Sequence, residues 1–306
     1  MASMIWPLAA LGLAFGLGAR EVRRFERLAA EDIAATLSGD SKKVTVKSEL
    51  NGIIGGALGD LKRVTIRART FSTPGLPLFT EPELAASGKV RELRIELDDF
   101  VLGNLRVEHL EATIPDCRFD YNLAVRKKKI RLSRSGTGVG RVQLLEKDLE
   151  AFILRKYREI KRVSVRIEKD RAFVSGYGEF LVIHTDFDVI ARLTPTDGTK
   201  LMLTDAKVFF GERFTDQAVR DIVVQTLNPV VDLDKDLNLH GAIKIEELTL
   251  QNGVLEAWGK TRIPDRPKPQ ANLFVSASKA AFTASIEMFA IFSSSVRTAS
   301  HLSPKG

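Results

Sequence analysis

The sequence predicts an α+β fold in which a strongly curved antiparallel sheet wraps around amphipathic helices. Three observations lead to this prediction: a globular composition, many segments that alternate apolar and polar residues, and three apolar stripes at helical spacing. Of the 306 residues, 44% are apolar and 28% are charged, a balance that argues against a disordered chain or a polytopic membrane protein. A chain of this length can bury a large core without disulfides.

Short segments with a period of two account for the predicted sheet. Most of them have one apolar and one polar face, as an antiparallel sheet with a single buried side requires. A further strand, 254–262, follows Gln251-Asn252-Gly253, which is a strong hairpin signal. Two glycines in a strand-like stretch, Gly176 and Gly178, predict a bend or bulge. The alternating segments are 44–46, 63–69, 93–97, 119–125, 163–167, 187–193, 201–203 and 243–246.

Three apolar stripes with helical spacing predict the helices. The first runs from Val22 to Leu37 and ends at Ser38-Gly39, where glycine is a typical C-terminal cap. The second lies within residues 144–160, and the third starts after Thr215 and stops at Asn228-Pro229. Because helices and strands alternate along the chain, the sequence hints at two related halves, each pairing a helix with a curved sheet.

The ends of the chain differ from its centre. Residues 1–18 carry no charged side chain and approach the shortest length that spans a bilayer, so residues 1–19 are predicted to be a hydrophobic anchor. A buried or frayed apolar end is the alternative. A proline-rich linker begins at Pro264, and the apolar tail after it could be an interfacial helix or disordered. The predicted domains are 1–19 (anchor), 20–264 (main domain, with halves of about 20–142 and 143–264) and 265–306 (linker and tail).

Positive charge is concentrated in one part of the chain. The net charge is +7, and residues 126–171 contain 16 Lys and Arg against 6 Asp and Glu. Such a block favours binding to polyanions, either lipid headgroups or nucleic acid, although a solvated surface is the plain alternative. No RNP motif, zinc finger or aromatic-interleaved basic segment supports nucleic acid, so no specific nucleic-acid partner is expected.

The chain contains no recognisable catalytic or metal-binding motif. It has no G-x-S-x-G, Walker or H-E-x-x-H sequence, and the lone cysteine, Cys117, has no identified histidine base. The glycines of 136–140 predict a turn or loop, and residues 232–239 predict an edge strand rather than a calcium loop. Asp98 and Asp99 should face opposite ways on a strand. We therefore expect no catalytic residues, no metal, no cofactor and no enzymatic activity.

Residues 30–264 resemble the LmeA-like family of bacterial phospholipid-binding proteins. The resemblance covers about three quarters of the chain and rests on degenerate apolar patterns. The segments that carry it are AEDIAATL at 30–37, GDLKRVTI at 59–66, LLEKDL at 144–149, QTLNP at 225–229 and LTLQNGVL at 248–255. It implies a fold like the tubular lipid-binding proteins, in which a strongly curved antiparallel sheet wraps a long helix and encloses an apolar groove. It also implies a role at a membrane or in the cell envelope, without catalysis.

The alternation and the resemblance together lead to a hypothesis of a membrane-associated protein that binds or transfers phospholipid. The candidate groove wall is Val64, Ile66, Leu93, Ile95, Leu97, Phe119, Tyr121 and Leu123. The candidate headgroup residues are Arg126, Lys127, Lys128 and Lys129. The expected partners are a phospholipid and a membrane surface with anionic lipids. The alternative is a filled scaffold that docks an acidic partner through its basic block. Arg20, Arg23, Arg24 and Arg27 favour the cytoplasmic side, whereas the resemblance allows the envelope.

Overall fold

The computed structural model of the protein describes seven ranges of the chain, which hold two β-sheets and the helices packed on them. These ranges are 22–52, 59–75, 86–127, 131–180, 183–211, 213–214 and 217–263. The chain divides into two units, Met1–Asp265 and Arg266–Gly306, and every described residue belongs to the first. The predicted anchor and tail lie outside the described residues, and the predicted domain division stays a prediction. No helix within the seven ranges combines the length and the apolar character that crossing a membrane requires.

The first sheet is almost entirely antiparallel. Its strands are β1 (Lys43–Leu50), β2 (Asp60–Thr73), β3 (Gly88–Leu102), β4 (Leu105–Phe119), β5 (Leu132–Arg134), β6 (Gly138–Leu145), β13 (Ile243–Gln251) and β14 (Val254–Thr261). They lie in the order β1-β2-β3-β4-β6-β14-β13, with β5 paired to β4. Only β2 and β3 run parallel among these described pairs, which corrects the expectation of a purely antiparallel sheet. The connection over residues 74–87 is long enough for the crossover that a parallel pair needs.

The second sheet is antiparallel and is formed from the middle of the chain. Its strands are β7 (Ile160–Glu168), β8 (Arg171–Phe180), β9 (Ile183–Thr196), β10 (Lys200–Phe210), β11 (Arg213–Phe214) and β12 (Val231–Asp232). They follow the order β11-β10-β9-β8-β7, with β12 paired to β10. The predicted irregularity at Gly176 and Gly178 is confirmed, because the register of β7 against β8 shifts opposite them, between Ile160 and Arg162. Since β13 and β14 return to the first sheet, the two sheets do not follow the proposed sequence halves.

Helices pack on both sheets. They are α1 (22–36), α2 (Tyr121–Lys127), α3 (Glu146–Lys156) and α4 (Gln217–Leu227). The structure confirms α1, α3 and α4 at their predicted places. Ala29 and Ile33 of α1 are buried in the core with the inner face of the first sheet, and α3 buries Leu149, Phe152 and Ile153. The apolar stripe of each of these two helices therefore packs on an apolar surface, and such packing is the usual source of helix stability in proteins.

Helix α2 replaces a predicted strand. The alternation of residues 119–125 indicates a strand, but β4 ends at Phe119 and the chain then turns into a helix. Asp120 accounts for the difference, because its carboxylate accepts a hydrogen bond from the Leu123 N–H at 3.0 Å and its carbonyl accepts one from the Ala124 N–H at 3.1 Å. Asp120 thus acts as a helix N-cap, and local capping overrides a period-two pattern that is short.

The first sheet bends where its alternation changes phase. Thr70 of β2 and Asp99 of β3 adopt left-handed backbone conformations, with φ of 56° and 46°, and the pairing of the two strands skips them. Two consecutive residues are exposed at this point in each strand, 69–70 in β2 and 98–99 in β3. The next residues, Phe71 and Phe100, are buried, and their rings stack with centroids 5.0 Å apart. Extra residues of this kind bend a strand and increase its twist. The bend keeps the apolar side chains on the concave face.

Helix α3 joins the two sheets by covering an edge strand. The Glu150 carboxylate accepts a hydrogen bond from the Val165 N–H at 2.7 Å, and the Glu146 carboxylate accepts one from the Ile167 N–H at 3.0 Å. Four residues of helix rise about 6 Å and two residues of strand about 6.7 Å, so the two spacings match. The Gly253 N–H, in the β13–β14 turn, also donates to the Ile167 carbonyl at 3.0 Å. These contacts close the exposed edge of β7, which would otherwise be open to pairing with another chain.

We expect Glu150→Ala to lower the free energy of unfolding by about 1.5 kcal/mol, because it leaves a strand N–H without its charged acceptor. Glu150→Gln should cost less, since the amide oxygen can still accept the bond. Urea denaturation measures the loss, and hydrogen exchange at Val165 locates it. Lys147→Ala, at an exposed position of the same helix, is the control and should change stability by at most about 0.5 kcal/mol. Equal effects of Glu150→Ala and Lys147→Ala would contradict this role of Glu150.

Candidate functional site

An apolar cavity, here called the main cavity, lies between α1 and the inner face of the first sheet. The cavity holds about 1020 Å³ of empty space when its open mouth is counted. Only about 100 Å³ of this space lies far enough from the wall to be occupied by the centre of a water molecule, so the cavity is a narrow slot. Its wall includes Ile33 and Leu37 from the α1 region, and side chains from β2, β3, β4, β13 and β14.

Small residues on the inner face account for this space. Ala112, Gly140 and Gly259 are neighbours on β4, β6 and β14, and all three line the main cavity. Ile95 pairs with Ala112, so the row continues onto β3, and Ala257 adds another small side chain on β14. Elsewhere the same face carries Leu, Ile and Phe, which fill the core. A row of small side chains across a curved sheet leaves a trough that α1 covers without filling.

Gly138 and Gly259 are needed because the backbone of a neighbouring strand lies very close to them, whereas Gly140 has room for a side chain. A Cβ on Gly138 would lie 2.0 Å from the Thr113 carbonyl oxygen, and one on Gly259 would lie 1.9 Å from the Lys244 carbonyl oxygen. A Cβ on Gly140 would meet its nearest atom at 3.4 Å. Gly138 and Gly140 lie in β6, which corrects the expectation that residues 136–140 form only a turn or loop.

A second cavity adjoins the main cavity beneath α1. Ile33, Ile66, Leu93 and Leu132 line both, and the two neighbouring cavities together are here called the apolar channel. The channel runs along β3 from Val90 to Leu97, and seven strand residues span about 23 Å. One leaflet of a bilayer contributes about 15 Å of hydrocarbon. The channel is thus long enough for one acyl chain of a membrane lipid.

Six of the eight predicted groove-wall residues line the channel. Ile66 and Leu93 line both cavities, Val64 and Phe119 line the second cavity, and Ile95 and Leu97 line the main cavity. Tyr121 and Leu123 do not line either cavity. Both lie on α2 instead of the predicted strand, and Tyr121 packs edge-to-face on Phe119 with ring centroids 6.4 Å apart. Whether the wall residues contact a lipid stays a prediction.

Two of the predicted headgroup residues lie on α2, which follows Phe119 in the wall of the second cavity. Arg126 and Lys127 are exposed on α2 and line neither cavity. Lys128 and Lys129 lie outside the described residues. Their role toward a headgroup stays a prediction. The rest of the basic block is spread over several elements: Arg141 lies on β6, Lys156 on α3 and Arg166 on β7.

Two arginines line the main cavity, and only one of them is neutralised. Arg141 forms an ion pair with Glu256, and its guanidinium carbon lies 5.6 Å from the centre of the Trp258 ring. Arg262 is exposed, and no carboxylate within the seven described ranges pairs with it. Arg262 is a single cation at the end of a predicted strand, outside the basic block, so nothing in its sequence context indicates that it lines a cavity.

The other titratable groups considered in the sequence have structural partners. Cys117 is fully buried, and burial, together with the nearby Asp116 carboxylate, raises the pKa of its thiol to about 12. Asp98 lies 2.6 Å from the Nδ1 of His109, while Asp99 pairs with Arg106 at 2.6 Å. In the described part of the chain, no group of three or more His, Cys, Asp or Glu side chains is placed to hold a metal ion.

The aspartates of residues 232–236 bind the protein itself. Only Asp232 belongs to a strand, β12, and residues 233–237 form a turn, so the predicted edge strand is wrong beyond Asp232. The Asp232 carboxylate accepts hydrogen bonds from the N–H groups of Asp234 and Lys235 at 3.1 and 3.0 Å. The Lys156 ammonium donates to the Asp236 carboxylate at 2.6 Å. This cluster ties the turn to the end of α3.

Comparison with protein families finds a match that includes much of the main cavity. A family model for LmeA-like phospholipid-binding proteins matches residues 75–257, which include β3, β4, β6 and the first half of β14, and so the row of small residues except Gly259. Helix α1, β1 and β2 precede the matched region, which is shorter than the resemblance over 30–264. Comparison with curated proteins and with solved structures finds no match. Since the family model covers more than half of the chain, this protein belongs to the LmeA-like phospholipid-binding family.

Proposed function

We propose that this protein binds a phospholipid without chemically changing it and carries the lipid at or between membranes. One acyl chain occupies the apolar channel, and the first sheet with α1 forms a body like the tubular lipid-binding proteins. The observation that carries the proposal is the continuous apolar lining of the channel, from Phe119 to the row of small residues. Membership of the family supports phospholipid as the ligand.

The energetics of an apolar channel suit a carrier. Moving a chain of about twelve methylenes out of water into an apolar site gains about 10 kcal/mol before the costs of ordering the chain. The same chain in a bilayer is already surrounded by hydrocarbon, so its transfer from membrane to channel changes the hydrophobic free energy little. A lipid therefore stays bound while the protein is in water and can exchange when the protein meets a membrane.

The proposal includes association with a membrane. The uncharged segment 1–18 supports an anchor, and the arginines that follow it favour a cytoplasmic body by the positive-inside tendency. The family resemblance allows the cell envelope instead. Protease protection of sealed membrane preparations distinguishes the two, since only an exposed body is degraded before the membrane is opened.

No observation favours the alternative of a scaffold that docks an acidic partner. The described cations of the basic block are distributed over several elements, among them α2, β6, α3 and β7. Several of them also have partners within the chain: Lys156 bonds Asp236, and Arg141 bonds Glu256.

Native mass spectrometry of the full chain tests the proposed function. We expect the purified protein to retain one phospholipid, visible as a mass increment and identifiable after organic extraction. Lipid-free protein, prepared by detergent exchange, should regain the increment when it is incubated with phospholipid vesicles. Protein that neither retains a phospholipid nor takes one up from vesicles would overturn the proposal.

A further inference from the structure

The end of the channel at the second cavity carries cations from two helices. Phe25 of α1 and Phe119, next to α2, both line the second cavity, so the two helices flank one end of the channel. Arg23 and Arg27 are exposed on the first turns of α1, and Arg126 and Lys127 are exposed at the end of α2. Among the described residues that line the main cavity, at the other end of the channel, the cations are Arg262, which is exposed, and Arg141, which pairs with Glu256.

The connection between α2 and α1 keeps these cations close together. Arg131 forms an ion pair with Asp32 of α1 at 2.6 Å, and three residues lie between Lys127 and Arg131 in the chain. The four Cα-to-Cα steps from Lys127 to Arg131 reach at most about 14 Å, so the end of α2 must lie near α1. Along α1 itself, Arg27 lies about 7.5 Å and Arg23 about 13.5 Å from Asp32. All four cations therefore fall within a surface of a size that a bilayer can contact at once.

Nearby carboxylates do not neutralise this surface. Asp32 is paired with Arg131, Asp120 caps α2, and Glu26 accepts hydrogen bonds from Ser48 at 2.6 and 3.0 Å. Glu31 reaches Arg27 only at 3.9 Å, with both side chains mostly exposed. Within the described ranges, Arg23, Arg126 and Lys127 have no carboxylate at ion-pair distance.

We infer that this basic end, Arg23, Arg27, Arg126 and Lys127, docks on an anionic lipid bilayer, so that a lipid tail enters the channel from the second cavity. The inference rests on the proposed function, because it assigns the membrane-facing end of the same channel. A surface of exposed cations, which nearby carboxylates do not neutralise, beside the apolar wall of the second cavity complements a layer of phosphate headgroups above hydrocarbon. A tail that enters here passes Phe25 and Phe119 and then reaches the row of small residues, while its headgroup stays near α2.

A fluorophore on the full chain tests this orientation. Because Cys117 is fully buried, a cysteine introduced at exposed Asn122 (N122C) on α2 can be labelled selectively. K169C, at an exposed position in the β7–β8 turn of the second sheet, carries the same fluorophore and is the control. The vesicles contain phosphatidylcholine alone or with about one third phosphatidylglycerol, and a headgroup-linked quencher. We expect quenching of the probe at position 122 that exceeds quenching at position 169 and that grows with phosphatidylglycerol.

Charge reversal provides the matched variants. Reversing two cations in R126E/K127E should lower the affinity for phosphatidylglycerol vesicles about tenfold or more, whereas K207E, at an exposed position of β10 in the second sheet, should leave it unchanged. Stronger quenching at position 169, or loss of affinity in K207E but not in R126E/K127E, would overturn the inference. Native mass spectrometry separates this result from the proposed function. A lipid-loaded chain whose probe at position 122 stays unquenched overturns only the docking, and a quenched chain that never carries lipid overturns only the proposed function.

Discussion

The double substitution A112L/A257L is expected to reduce phospholipid affinity about fifteenfold or more while the protein remains folded. Both alanines line the main cavity from its inner face, and leucine carries an isopropyl group in place of one hydrogen of the alanine methyl at each position. If the new side chains displace about two methylenes of a bound tail, the lost burial is about 1.6 kcal/mol, which is about fifteenfold in affinity. The added groups enter existing space, so stability should change less than when a filled core is overpacked.

A matched variant separates plugging from a general effect of added leucine. T65L/T249L places the same side chains on half-exposed positions of the same sheet, next to the buried Val64 and Leu250. It should bind lipid like the original chain. Thermal unfolding of each variant establishes that the fold persists. Full lipid binding by a folded A112L/A257L variant would show that the main cavity does not hold the tail.

The substitution R106A is expected to lower the free energy of unfolding by about 3–5 kcal/mol. Asp148 on α3 is almost fully buried, with 7% of its side chain exposed, and its carboxylate lies 2.9 Å from Nη1 of Arg106 on β4. Burial lowers the pKa of the Arg106 guanidinium, but hydrogen bonds to Asp99 and Glu108 outweigh it and raise that pKa above its ordinary value. Arg106 is therefore charged and compensates a buried carboxylate. Removing it leaves that charge without a partner between α3 and the first sheet.

Two further variants test this explanation by urea denaturation. R106L/D148L removes both charges and should recover most of the lost stability, because a buried ion pair can often be replaced by apolar side chains at small cost. R94A removes an exposed partner of Glu92, with 45% of the arginine side chain exposed, and should cost at most about 1 kcal/mol. A loss in R106A no larger than in R94A would contradict the role given to Asp148.

The channel wall could be predicted where it depends on local alternation. Ile66, Leu93, Ile95 and Leu97 line the main cavity, as the alternation indicates, because a strand presents every second side chain to one face. Tyr121 and Leu123 lie on a helix instead of the predicted strand, because one capping carboxylate, Asp120, was enough to turn the same kind of pattern into a helix.

Other features depend on which strands become neighbours, and a single sequence does not show that. The parallel pairing of β2 with β3 and the return of β13 and β14 to the first sheet are long-range choices. The trough exists because Ala112, Gly140 and Gly259 fall in one row, although they are separated along the chain by 27 and 118 intervening residues. Each is unremarkable alone, and only the register brings them together.

Mapping the position of a bound acyl chain tests the central claim most directly. A phospholipid with a photoactivatable group in its tail can be loaded into the full chain, irradiated, and located by mass spectrometry of the cross-linked peptides. We predict adducts on the inner-face residues of β2 and β3 that border both cavities, Ile66 and Leu93, and on Leu97 in the main cavity. Adducts confined to outward residues such as Thr65 and Arg94, or to the second sheet, would contradict the claim that the space under α1 holds the lipid tail.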